Sequence, residues 1–481
     1  MYVLAIDQGT SGTKSIIVDG EGRILAKATE PLTTLYLDHG FVEQDPETIY
    51  RNVLSSVEKC FLDFEKKGGN RNDVTSCGIS NQRETFVLWD KNGVPLHNAV
   101  VWQCKRSIGV CESLSHLEEA IQKKTGLRVD PYFSGTKVIW LYRNNEKIRT
   151  VIDRGEAYFG TIDTWLLFKL TGNYFTDYTN ASRTLFFNLL TLSWDRELLA
   201  SFSLSKLNLP EVKPSSFDFG KTGLNDLHIT AMIGDSHAAA FGEGCFKPGT
   251  AKATLGTGCS ILMNVGDAVK DSGHGMVSTI CWSTERKVQF AFEGVIVTCG
   301  GTIEWLKNEV GLISDSKQTE AMATSVNDNG GVYVIPAFSG LGTPHWDMSR
   351  KASIVGLTFA SNKNHIVRAA LESIAYQIKD VIDAMEKDAN IQLDQLMVDG
   401  GISSNEFVVQ FIADVLKKKV VNLGVADVSA LGAAYLAGLK SGLFKDLDLL
   451  SRLSTAPKIY QPKNDAGKFY AGWQNAIKLN H

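Results

Sequence analysis

The chain has 481 residues, 44% hydrophobic and 21% charged, which is ordinary globular material with room for two or three domains and sizeable cores. Its 49 basic and 53 acidic residues leave a formal charge of −4, which excludes the basic field of a nucleic-acid binder. No apolar run reaches about 18 residues, the chain enters a strand pattern at once, and eight cysteines lie scattered without zinc spacing. Neither a signal peptide nor membrane insertion is expected, and reduced thiols in a cytoplasmic protein are.

In chain order, the first element is an apolar, β-branched strand over residues 3–6 that ends in Asp7. A turn with Gly9, Thr10, Ser11, Gly12 and Lys14 follows, then a second strand over residues 15–18. Glycines let backbone N–H groups approach an anion, while hydroxyls and a lysine add donors and charge. Asp7 at the strand tip can hold a hydrated metal ion. Read alone, the segment is equally a phosphate cradle or an ordinary polar hairpin.

Apolar spacing at Ile49, Val53, Val57, Cys60 and Phe64 predicts a one-faced helix over residues 46–67. Strands follow at 75–79, 85–89 and 229–233. The next, at 253–255, runs into Gly256-Thr257-Gly258 and a further strand at 261–265, an echo of the opening hairpin. Strands at 331–335 and 396–398 flank a predicted helix at 366–387. This alternation is an α/β architecture. The repeated hairpin suggests a duplicated fold that grips a nucleotide between its halves. The natural boundary lies near Gly242–Gly249, giving expected domains 1–243 and 244–481.

Motifs in a fixed order then become recognisable. They include Asp7-Gln8-Gly9-Thr10, Asn81-Gln82-Arg83-Glu84-Thr85, Asp130-Pro131-Tyr132, Thr176-Asp177-Tyr178-Thr179-Asn180-Ala181-Ser182-Arg183-Thr184, Val398-Asp399-Gly400-Gly401 and Ala430-Leu431-Gly432-Ala433-Ala434. With these the chain resembles the FGGY carbohydrate kinases, and among them the glycerol kinases, over nearly its whole length. The resemblance implies two ribonuclease-H-like domains of the actin/hexokinase/Hsp70 type, with a cleft between them.

It also implies roles. Asp235, in Ile233-Gly234-Asp235-Ser236-His237, matches the catalytic base, which takes the acceptor hydroxyl's proton. Read without the resemblance, Asp235 is equally a cap on the helix that begins there. Arg83 and Glu84 match residues that hydrogen-bond glycerol hydroxyls, Tyr132 a polyol contact, and Trp102 an indole against the carbon chain. Thr10, Ser11, Gly12 and Lys14, with Gly256 and Thr257, match the nucleotide phosphate site; Gly300, Gly401 and Asn405 match the adenosine site. Asp7 matches the organiser of Mg²⁺, acting through waters. ATP is the implied donor, a small polyol the acceptor, and a homo-oligomer, dimer or tetramer, the expected assembly.

Lys14 stands where glycerol kinases usually carry arginine, and Ser236 and Ser260 replace an expected glutamine and phenylalanine beside the acceptor. Losing the aromatic wall opens the pocket and makes it more polar. A tetritol, pentitol, ribulose or xylulose is therefore the alternative acceptor, and a catalytically silent polyol- or nucleotide-binding relative the remote one. Residues 221–229 are short where fructose 1,6-bisphosphate-regulated relatives carry a longer loop, which argues against that control.

Overall fold

The computed structural model describes residues 1–425, 427–453 and 457–478. Every strand and both helices expected above are present, with ends moved by a few residues. Thirteen strands make one sheet. In chain order they are β1 (Tyr2–Gln8), β2 (Gly12–Val18), β3 (Ile24–Pro31), β4 (Val74–Asn81), β5 (Ser216–Lys221), β6 (His228–Gly234) and β7 (Thr250–Leu255). They continue with β8 (Cys259–Gly266), β9 (Val277–Thr284), β10 (Lys287–Ile296), β11 (Gln395–Asp399), β12 (Lys419–Asn422) and β13 (Lys458–Tyr460). The spatial order is β13-β12-β11-β7-β8-β10-β9-β5-β6-β4-β1-β2-β3.

The duplication is written in this topology. In the first half β1 and β2 are antiparallel, β2 and β3 antiparallel, and β1, β4 and β6 parallel. In the second, β7 and β8 are antiparallel, β8 and β10 antiparallel, and β7, β11 and β12 parallel. Each half is the five-stranded unit of a ribonuclease-H-like domain. The halves meet edge to edge where β9 pairs β5 at Thr284 and Ser216.

Both β1 and β7 are almost wholly buried, and each runs into its glycine turn. The first helix, α1 (Pro46–Lys66), is capped by Asp45, which accepts the Glu47 and Thr48 amides. Its buried face packs on β2 and β3.

Two further helices fix the halves together: α2 (Asp235–Gly242), which leaves β6, and α3 (Val428–Ser441), which belongs to the second half but lies on β1, β4 and β6. Their contact is close because it is built from glycine and alanine. A Cβ on Gly432 would stand 1.8 Å from the Ala238 carbonyl oxygen, and one on Gly242 2.5 Å from that of Val428. This is the physical sense of the small-residue run Ala430–Ala434, which periodicity alone reads only as a buried helix.

Candidate active site

A cavity of about 890 Å³ lies between the halves. The first half contributes Thr10, Arg83, Glu84, Trp102, Tyr132, Asp235 and Ser236; the second contributes Lys252, Thr254, Ser260, Asp399, Gly401 and Ser403. All seven expected acceptor-side residues are therefore on one wall system, together with Thr10 and Gly401 from the nucleotide set.

Arg83 and Glu84 follow β4, where the chain turns within three residues. The Thr85 N–H reaches the Arg83 carbonyl at 2.7 Å, and Glu84 takes a φ of 60°. A non-glycine residue there carries strain of a kind that accumulates at functional sites. Ser134 Oγ holds the turn by donating to the Glu84 carbonyl at 2.7 Å.

The two charges are buried, not exposed on a hairpin. Arg83 Nη2 donates to Glu293 Oε1 at 2.7 Å, and its Nε lies 3.3 Å from Asp235 Oδ1. Arg183 Nε donates to Glu84 Oε1 at 2.6 Å, while its Nη1 lies 2.7 Å from Glu293 Oε2, out of line for a hydrogen bond. Burial pushes the Glu293 carboxyl up, but Arg183 and Arg83 overturn this and hold it well below the usual range. For Glu84 burial prevails over the same two arginines and its carboxyl is raised.

Arg183 and Glu293 were not singled out from the sequence. A signal for Glu293 exists: a lone carboxylate inside the apolar strand β10. Arg183 lay inside a recognised motif without a role.

Asp235 is the first residue of α2, delivered by β6. Its side chain is 40% exposed, toward the cavity. Enclosure by the cleft raises its carboxyl above the ordinary range, Arg83 opposes this, and the neighbouring Asp7 carboxylate adds to it. Gly234 makes the arrangement possible, since a Cβ there would stand 2.7 Å from Arg83 Cγ. His237 is buried with Nε2 3.4 Å from Thr279 Oγ1. Burial, then the nearby Arg83, lower it far enough to keep the ring neutral.

Trp102 and Tyr132 meet edge to face at 5.5 Å between ring centroids, and the Trp102 Nε1–H donates to Thr10 Oγ1 at 2.9 Å. Thr10 is thus fastened to the acceptor wall. Ser260 Oγ donates to Glu293 Oε1 at 3.1 Å, whereas Ser236 Oγ has no partner among the described residues.

The phosphate turns are built alike. Gly9 N–H binds the Gly12 carbonyl and Gly256 N–H the Gly258 carbonyl, both at 2.9 Å. Gly300 N–H adds a bond to the Gly256 carbonyl at 2.9 Å. Lys14 is not on the cavity wall; its Nζ lies 2.5 Å from Asp427 Oδ1, and Lys27 takes the other oxygen at 2.7 Å. Nor are Asp7, Ser11, Gly12, Gly256, Thr257, Gly300 and Asn405 on that wall. Asn405 caps the helix Glu406–Leu416, accepting the Val408 amide at 3.1 Å and donating to Thr319 Oγ1 at 3.2 Å.

Behind the wall a buried network links the segments that carry Asp235 and Arg83. Asp177 accepts Thr179 Oγ1–H at 2.7 Å, and Thr179 Oγ1 accepts the Gly234 amide at 2.9 Å, just before Asp235. Asp177 also accepts Asn180 Nδ2 at 2.8 Å, and Asn180 Oδ1 accepts Asn81 Nδ2 at 2.9 Å, just before Gln82 and Arg83. Asp163 completes the network, accepting the hydroxyls of Thr161 and Thr176 at 2.5 and 2.7 Å.

Burial, with Asp177 beside it, pushes the Asp163 carboxyl up to about 7. An unfolded aspartate titrates near about 4, so the folded state holds the extra proton. The corresponding stability is full below that unfolded value and is lost as pH rises through about 7. We expect the parent's Tm to fall from pH 5 to pH 8 and Asp163→Asn to flatten that slope; equal slopes in a thermal-melt series would refute this.

The model of the FGGY family of carbohydrate kinases matches with its N-terminal domain over residues 2–242 and with its C-terminal domain over residues 251–441.

The chain belongs to the FGGY family of carbohydrate kinases.

Among relatives of this kinase, a glycerol kinase of Carboxydothermus hydrogenoformans is 45% identical over 489 residues, covering 99% of this chain and 97% of its own. A glycerol kinase of Fusobacterium nucleatum subsp. nucleatum is 44% identical over 494 residues, covering 99% and 98%. The solved structure of Plasmodium falciparum glycerol kinase with ADP superposes with a TM-score of 0.95 at 36% identity, covering 100% of this kinase and 98% of that chain. Among the described residues no helix is long and apolar enough to cross a membrane.

Proposed function

We propose that this kinase transfers the γ-phosphoryl group of ATP to a primary hydroxyl of glycerol, giving glycerol 3-phosphate. The observation that carries the reading is one wall bearing three functions. It holds the Arg83–Glu84 clamp, an aromatic corner of Trp102 and Tyr132, and Asp235 with Oδ1 3.3 Å from Arg83 Nε. The relatives at 44–45% identity, named glycerol kinases, support the same acceptor.

In this reading Glu84 and Arg83 hold acceptor hydroxyls, one accepting and one donating. The aromatic corner covers the carbon chain. Asp235 takes the hydroxyl proton as the oxygen bonds to phosphorus and the bridging P–O bond breaks toward ADP. The Gly9–Gly12 and Gly256–Gly258 turns present backbone to the nucleotide phosphates. Closure of the halves would exclude water and so limit ATP hydrolysis. We place the domain boundary between Gly242 and Gly249.

The donor set fits Mg²⁺ only in part. Asp7 offers a hard oxygen, with Ser80 Oγ donating to its Oδ1 at 2.8 Å, and its charge reaches Asp235. Among the described residues no cluster of three metal-ligating side chains exists. That suits an ion held mainly by water and phosphate oxygens, with Asp7 as its protein anchor. When bound, Mg²⁺ neutralises charge on the phosphates. A soluble cytoplasmic enzyme, dimeric or tetrameric, is the matching expectation.

A second reading has one observation in its favour. Ser236 Oγ, unpartnered among the described residues, and the Ser260 hydroxyl give the acceptor end of the cavity a polar character that suits extra hydroxyls. A kcat/KM comparison of glycerol, erythritol, xylitol, ribulose and xylulose decides between them. Glycerol should lead by roughly tenfold or more, in the range that one additional carbon commands. A larger acceptor in first place would overturn the glycerol assignment, and no polyol-dependent ADP release at all would favour a silent relative.

A further inference from the structure

We propose that Lys252 is a substrate-contacting cation of this cleft, meeting the oxygens of the phosphoryl group in transit. The proposal rests on the kinase reading above. Lys252 stands in the middle of β7 between Ala251 and Ala253, is 1% exposed, and lies on the cavity wall with Thr254. Its Nζ donates to Thr254 Oγ1 at 2.7 Å, and among the described residues it has no ion pair. A buried ammonium without a carboxylate is costly unless it has an anion to meet.

The other cations of the site are already committed. Arg83 and Arg183 serve Glu84 and Glu293, and Lys14 serves Asp427. The carboxyls that feel Lys252 are those of Asp235, at the start of α2, and Glu243, just past its end. Burial, with Asp399 adding to it, pushes the Glu243 carboxyl far above its usual range, which weakens it as a countercharge, and it makes no ion pair with Lys252. The strand β7 leads from Lys252 directly into the Gly256–Gly258 turn, and Asp235 shares the same cavity. Lys252 therefore lies on the strand that runs into the second phosphate turn, on the same cavity wall as Asp235 and within its electrostatic reach.

In the transfer, the acceptor oxygen bonds to the γ-phosphorus, its proton passes to Asp235, and the bridging bond's electron pair leaves on the nucleoside diphosphate. Lys252 exchanges no atom. Its fixed ammonium opposes the charge on the transferring oxygens in a site that needs no rearrangement to do so.

The test uses the full chain carrying Lys252→Met and, in parallel, Lys252→Gln, whose amide can still bind Thr254. Both should lower kcat by about 10²–10³-fold, with acceptor KM, ADP affinity and Tm close to those of the parent. Added ethylammonium should restore part of the turnover of Lys252→Ala. A kcat within about threefold of the parent in either variant overturns the proposal. So does a loss of kcat that tracks a lowered Tm in both variants without amine rescue, which marks Lys252 as a structural counter-cation. Absence of polyol-dependent ADP release in the parent would instead sink the kinase reading itself.

Discussion

Asp235→Asn should lower kcat by about 10²–10⁴-fold, the range that a positioned general base supplies, while ATP and acceptor still bind. The amide keeps the size and the hydrogen-bonding reach of the carboxylate but cannot take a proton. The carboxylate stands at the start of α2 beside Arg83 Nε at 3.3 Å, so the substitution leaves the clamp largely in place. A coupled ADP-release assay, read with calorimetric ATP binding, checks it, and near-normal turnover would sink the assignment of the base. The pH profile offers an independent check. Enclosure raises the Asp235 carboxyl, so the acid limb of kcat/KM should fall at a higher pH than an exposed aspartate would set.

Glu293→Gln should destabilise the protein by about 3–5 kcal/mol, the cost of breaking a buried ion network by removing one partner. Glu293 is 2% exposed and faces two buried arginines, Arg83 and Arg183, each 2.7 Å away. Without its charge, Arg183 is left with Glu84, and Arg83 with Glu84 at 4.0 Å and Asp235 at 3.3 Å. Arg83 then loses the contact that orients it, and acceptor KM should rise while ADP affinity stays unchanged. Denaturant melts and acceptor kinetics together check this. A variant as stable as the parent with unchanged acceptor KM would show that the four charges are not one unit. The contribution has a definite pH sense: the depressed Glu293 carboxyl stabilises the fold above the unfolded titration range, and this is lost as pH falls through its folded value.

Much of this was legible in the chain. The buried strand β1 announces itself by an unbroken apolar run and β7 by the short extended segment 253–255, and a glycine turn after each is a local pattern that survives without tertiary context. So does the single-faced helix α1, whose period needs no partner to be read. The long buried strands β9 and β10 were not singled out, because serines, threonines, a glutamine and Glu293 interrupt their apolar pattern. Those polar residues are satisfied by partners distant in sequence, which no window can contain. Thr279 meets Ser182 and His237, and Ser283 meets Ser215.

By itself, then, the sequence determined the two hairpins, the α/β class and the order of the motifs, since each is carried by residues adjacent along the chain, and through the resemblance it offered Arg83, Glu84 and Asp235 as candidates for clamp and base. Tertiary structure alone decided that Arg83 and Glu84 are buried within a four-charge network with Arg183 and Glu293, that Lys14 pairs with Asp427, and that Lys252 has no carboxylate partner among the described residues. The reason is physical. A charge's state depends on which countercharge and how much water surround it, and those are set by strands that meet only after the halves have folded together.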